Sequence, residues 1–111
     1  MPATAVLLIA PKLAETAQTE QYAAPVGGKG ALIDKFTATN TTALPQTLSV
    51  NLISDGAASD NDLIVKTKSL AAGETYTFPE IVGSYLPPSA SISTIASATG
   101  IALRASGREL T

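Results

Sequence analysis

Hydrophobic residues in this chain first form a solid block and later alternate with polar ones. Residues 5–10 (AVLLIA) are apolar without interruption up to Pro11, the pattern of a strand covered on both faces or by a partner. The block is too short for the hydrophobic region of a signal peptide and far too short to span a bilayer, and no Lys or Arg precedes it, so no targeting or membrane segment is expected. From residue 12 to 21 the pattern thins to a narrow stripe of Leu13, Ala14 and Ala17, enough for a short helix. Residues 23–30 (AAPVGGKG) then break regular structure, because glycines crowded together leave the backbone almost unrestrained. This places a boundary: an N-terminal arm with a glycine hinge over residues 1–30, and a body over residues 31–111.

In the body the period is two. Residues 31–39 set Leu32, Phe36 and Ala38 on one face and Ile33, Lys35, Thr37 and Thr39 on the other, with Asp34 marking a bulge or strand end. Residues 47–53 alternate most cleanly, Leu48, Val50 and Leu52 inward and Thr47, Ser49 and Asn51 on a wet face. The polar residues 54–61 join that strand to residues 62–70 as a hairpin. Tyr76 and Phe78 share a face of the next extended segment. Pro79 and Glu80 suit a helix start, so Ile81, Val82, Tyr85 and Leu86 read as a short corner helix, with Tyr76, Phe78, Ile81 and Tyr85 in the core. Residues 90–98 and 101–109 are two further strands around Thr99 and Gly100, expected as a closing hairpin. The fold class is therefore all-β: a small β-sandwich or jelly-roll-like domain with a corner helix and an extended N-terminal arm.

Composition removes most chemistry. The chain has no His and no Cys, so the commonest general base, the commonest transition-metal ligand, thiolate chemistry and disulfides are all missing. Seven Lys and Arg, scattered singly in a chain of net charge -2, give no basic stripe for nucleic acid. Charged residues make up 14% against roughly a quarter in ordinary soluble domains; Ser, Thr, Asn and Gln replace them, as on a surface that makes many weak contacts. The Asp-rich loop of residues 55–62 lacks the alternate spacing and closing Glu of a calcium loop, and reads as a solvated hairpin tip. Glu74 and Glu80 read as a turn residue and a helix N-terminal residue, not as a glycosidase pair. Gly27, Gly28, Lys29 and Gly30 lack the spacing of a phosphate loop. No catalytic, cofactor or metal residue is assigned, and no small-molecule substrate is expected. Candidate interface residues are Val6, Leu7, Leu8, Ile9 and Leu13 of the arm, the loose aromatic Tyr22, and Arg104 and Arg108, whose planar forks suit protein interfaces. A solvated strand face accounts for the two arginines equally well.

At residues 69–83 (SLAAGETYTFPEIVG), 91–98 (SISTIASA) and 103–109 (LRASGRE) the sequence resembles small virion proteins of tailed bacteriophages. In length and layout it is similar to the capsid decoration, or staple, proteins of short-tailed enterobacterial phages, the likeness covering most of residues 36–111. The resemblance implies a structural protein made in the host cytoplasm and placed on the outer capsid surface, with the major capsid protein as partner and a homodimer or sister decoration subunits alongside. The alternative is a carbohydrate- or receptor-binding β module of a phage tail or other surface assembly. Such modules stack exposed aromatics on sugars, and this chain has no Trp.

Overall fold

The computed structural model describes residues 2–111; Met1, the first residue of the expected arm, lies outside them. In chain order the strands are β1 (Ala3–Leu13), β2 (Thr19–Ala23), β3 (Ala31–Asn40), β4 (Gln46–Ile53), β5 (Leu63–Leu70), β6 (Thr75–Thr77), β7 (Tyr85–Leu86), β8 (Ser91–Ala96) and β9 (Ile101–Leu110). They form two antiparallel sheets. The first runs β1-β9-β3-β6, with β7 also on β3, and the second runs β2-β8-β4-β5. A single apolar cluster draws on both: Ile33, Phe36, Leu103 and Ala105 from the first, Leu48, Val50, Ile92 and Ala96 from the second. Phe78 fills its centre, edge-on to Phe36 at 5.3 Å and to Tyr76 at 4.8 Å between ring centroids. An all-β sandwich is thus what the alternating pattern produces.

The register of β3 follows from its bulge. Ile33 pairs with Gly107 of β9 and Lys35 with Ser106, so Asp34 is the extra residue. One inserted residue flips every side chain on one side of it, because the strand period is two. Ile33 therefore joins Phe36 and Ala38 in the core, and Leu32, expected with Phe36, is half-buried on the outer face.

The N-terminal residues are not an arm. β1 pairs with β9 from Ala3 opposite Leu110 to Leu13 opposite Ala102, and β2 pairs with β8. Leu8 and Ile9 lie in the core, which removes them from any interface. The apolar block has its mate at the far end of the chain, a pairing that no local pattern reveals. No helix forms between the two strands, because the chain turns after Ala14, whose N–H donates to the Ile101 carbonyl at 2.8 Å. The glycine segment is no hinge either. Lys29 N–H donates to the Leu110 carbonyl and Leu110 N–H to the Gly30 carbonyl, both at 2.9 Å, and a Cβ on Gly30 would stand 2.5 Å from the Leu86 carbonyl oxygen.

Two other expectations change. Instead of a corner helix, residues 78–84 make successive turns, closed by Val82 N–H on the Phe78 carbonyl and Ser84 N–H on the Ile81 carbonyl. β3 captures the backbone before a helix propagates: Gly83 N–H donates to the Ile33 carbonyl at 2.7 Å, and Ile33 N–H to the Ser84 carbonyl at 3.0 Å. Phe78 and Ile81 stay buried, but Tyr85 turns outward at 51% exposure and Leu86 takes the inner position. Likewise, residues 90–109 are not a hairpin. β8 lies in the second sheet and β9 in the first, so Thr99 and Gly100 carry the chain across the sandwich. Two alternating strands joined by a turn can face each other over a core as readily as pair side by side, and here each already has two partners. The hairpin of β4 and β5 forms as expected, around a short 3-10 turn at Asp60–Asp62.

Two substitutions test this architecture. Ile9→Ala removes a side chain exposed by only 2% and is expected to cost about 2–5 kcal/mol in chemical denaturation; an unchanged midpoint would return residues 1–30 to an arm. Gly107→Ala drives a Cβ into the Leu32 carbonyl oxygen, and a loss of about 1–3 kcal/mol is expected from forced backbone displacement.

Candidate interaction surface

Alternation along β9 buries Leu103, Ala105 and Gly107 and sends Arg104, Ser106 and Arg108 to the outer face of the first sheet. The ladders assemble that face in rows. Ala5, Arg108, Leu32 and Tyr85 are successive cross-strand neighbours; Leu7, Ser106 and Lys35 form the next row; Arg104, Thr37 and Thr77 the one after. Leu13 opposes Ala102 farther along. Leu7 and Leu13 are 47% and 48% exposed. Of the residues expected at an interface, Leu7, Leu13, Arg104 and Arg108 therefore share one outer face, whereas Val6, opposite the buried Gly107, is half-buried and packs against the core.

Electrostatics divides the two arginines. Arg108 is held by Asp34 in a two-pronged pair, Nε to Oδ2 at 3.0 Å and Nη2 to Oδ1 at 2.9 Å, which raises its pKa further. Both side chains are about half exposed, so the pair orients more than it stabilises. Apart from Lys12 with Glu15 it is the only ion pair among the described residues, so neither Arg104 nor Lys35 has a carboxylate partner. A shallow depression of about 400 Å³ lies between Ala5, Val6, Leu7, Asp34, Arg104, Ser106 and Gly107. A smaller hollow of about 90 Å³, lined by Lys35, Thr37, Arg104 and Ser106, adjoins it. Asp34, Lys35 and Ser106 were absent from the sequence candidates; the broken alternation at Asp34 was the signal that could have found them.

The edge of this sheet is the other feature. Thr111 N–H donates to the Pro2 carbonyl at 3.0 Å, so the residues of β1 that bond to β9 are the even-numbered Thr4 and Val6. The N–H and C=O groups of Ala3, Ala5 and Leu7 consequently point away from β9, along the free edge. Beyond Leu7 the edge is blunted by register shifts, by Pro11 without an N–H, and by Lys12, the first charge in the chain. The other edges are protected throughout. β6 is three residues long, β2 carries a bulge, and β5 combines register shifts with Lys66 and Lys68.

Tyr22 belongs elsewhere. From β2 its hydroxyl donates to Glu109 Oε2 on β9 at 2.6 Å, tying the two sheets together at one end. Partial burial and the neighbouring carboxylate push its pKa up. The expected loose aromatic is thus a structural tie.

The outer face of the second sheet is polar but covered. Ser49 and Asn51, expected on a wet face, are buried. Gln18 donates to Ser93 Oγ at 2.8 Å and to Asn51 Oδ1 at 3.3 Å, and Asn51 Nδ2 donates to Asp62 at 2.6 Å and to the Ser59 carbonyl at 3.1 Å. A groove of about 220 Å³ remains beside this network, bounded by Leu63, Lys66 and Ile95. At its rim Thr67 holds φ 48, unusual for a β-branched residue, with its N–H on Ser49 Oγ at 2.8 Å. Among the described residues no three His, Cys, Asp or Glu side chains come within reach of one metal ion. No family model, curated protein or solved structure matches the chain, so its surfaces are interpreted from their own chemistry.

The hydrogen bond from Asn51, and then that from the Ser59 N–H, lower the pKa of Asp62. A carboxyl whose folded pKa is depressed contributes stability at neutral pH and loses it as pH falls through the folded value, which here lies below the ordinary aspartate range of about 4. Acidification below that range is therefore expected to release the Ser59 amide, seen as faster hydrogen exchange than intrinsic chemistry predicts. The Thr67 amide, bonded to a hydroxyl, serves as the unaffected reference.

Proposed function

We propose that this protein is a non-enzymatic structural component of a virion that binds the outer surface of an icosahedral phage capsid and staples neighbouring major capsid subunits. The observation that carries this reading is the free, uncharged edge of β1 from Ala3 to Leu7, beside an outer face that mixes leucines with cations. An open edge of this kind takes up a strand from another chain, with main-chain bonds supplying affinity. The resemblance of residues 69–83, 91–98 and 103–109 to decoration proteins is what supports choosing the major capsid protein as the proposed partner. A staple that engages two neighbouring subunits of a shell at once needs no tight single site, since the second contact becomes intramolecular.

The same edge also fits a sister subunit. Two β1 strands running antiparallel about a two-fold axis at Ala5 would exchange backbone bonds through Ala3, Ala5 and Leu7 without any charge meeting its like. In the competing reading, a carbohydrate- or receptor-binding module, the exposed ring of Tyr85 is the favourable observation. Its hydroxyl is already spent on the Lys29 carbonyl at 2.8 Å.

Ala5→Glu tests the proposal. It sets a charge on the open edge, opposite Arg108 and not against a like charge, without touching the core, so thermal melting should not fall while co-sedimentation with phage shells drops by at least about tenfold. Electron microscopy of particles with and without the protein should show density over the shell only in the former. Equal binding by the variant, or no such density, overturns the reading. Glycan-array binding that is abolished by Tyr85→Ala would favour the alternative.

A further inference from the structure

We infer that the outer face of the first sheet contains a receptor site for a carboxylate side chain, seated between Arg104 and Lys35 and carried on an extended segment of a protein partner. This rests on that face being a protein-binding surface, but not on which assembly supplies the partner.

The placement follows from the ladder. Lys35 stands opposite Ser106 and Thr37 opposite Arg104, so cations occupy one diagonal of a square of outward side chains and hydroxyls the other. Directly opposed side chains in a sheet are about 5 Å apart and diagonal ones about 7–8 Å, a distance that long side chains span by leaning together. The hollow these four line has a volume of about 90 Å³. At about 30 Å³ per water it holds about three waters, room for a carboxylate. Donors surround it: a guanidinium fork, an ammonium group and the Ser106 hydroxyl, while the Thr37 hydroxyl donates to the Arg104 carbonyl at 3.4 Å.

The cations are left available by the bulge in β3. With Asp34 as the extra residue, both Asp34 and Lys35 are exposed, and Asp34 is taken up by Arg108. Asp34 is thereby paired with Arg108 and with neither Arg104 nor Lys35, and two cations without a carboxylate partner persist in a chain of net charge -2. The wider depression shares Arg104 and Ser106 with the hollow and runs to Ala5, Val6 and Leu7 at the free edge. An extended segment with its carboxylate in the hollow would place an apolar residue two positions away, about 7 Å along, within reach of Leu7. That apolar wall, and the pairing of the neighbouring Arg108 with Asp34, favour an acidic protein segment over a phosphodiester, which binds along a run of basic residues.

The test is a titration of the full chain, followed by amide and side-chain NMR, with the peptide acetyl-Thr-Val-Glu-Val-Thr-amide, its Gln counterpart and inorganic phosphate. Saturating shifts are expected at Lys35, Thr37, Arg104, Ser106 and Leu7 with the Glu peptide. Two exposed ion pairs, each worth a factor of up to about five, predict binding about tenfold weaker for the Gln peptide and several-fold weaker for Arg104→Gln. Lys68→Gln, on the second sheet, should bind as the parent does. Equal affinity for the two peptides, phosphate binding as tightly as the Glu peptide, shifts centred elsewhere, or no saturation by about 10 mM would each overturn the inference. The titration leaves β1 unaltered and uses no particle, so it can fail while shell binding stands, and shell binding can fail while the titration succeeds.

Discussion

The pairing of the first strand with the last is the constraint on which the rest of this molecule depends. β9 lies between β1 and β3, and its buried side chains reach the core only because it is flanked on both sides. Closing so long a loop is less costly than its length implies, since the entropy grows only with the logarithm of loop size. In return Leu8 and Ile9 enter the core, and Ala3, Ala5 and Leu7 become the boundary of the sheet. Fold and candidate surface thus arise from one interaction.

That pairing is held in register at its most crowded point. Gly107 faces Val6 on one side and Ile33 on the other, and both neighbouring strands shift register just beyond it. A side chain there would strike the Leu32 carbonyl and the end of Leu8. Close approach of three backbones and the bulge at Asp34 are parts of one local solution. The bulge brings Ile33 to the core and leaves Asp34 and Lys35 at the outer surface, where one neutralises Arg108 and the other accompanies Arg104. A packing requirement therefore determines which cations remain without a partner.

The sandwich is also tied from outside the apolar cluster. Tyr22 joins β2 to β9 through Glu109, and Tyr85 bonds the Lys29 carbonyl over Gly30. On the second sheet the exposed Gln18 bonds Asn51 and Ser93, and Asn51 bonds Asp62, so the buried Asn51 and Ser93 keep partners for their polar groups. Hydroxyls and amides carry out here what ion pairs do on more charged proteins, which fits a chain with 14% charged residues.

Much of the class of this protein was legible in the sequence. Period-two alternation over Leu48 and Val50, or over Leu103 and Ala105, dictates half-buried strands whatever their neighbours, because it depends only on the pleat. The missing His and Cys are equally direct, as is the disturbance at Asp34. What the sequence left undecided was partnership. Residues 5–10 have the same apolar pattern whether they lie on another molecule or on β9, and β8 and β9 alternate alike whether paired or facing. Tyr85 had the spacing of a helix that β3 forestalls by taking its backbone bonds. Such choices depend on contacts between residues far apart in the chain, and only the tertiary structure, where every strand competes for the same few neighbours, decides them.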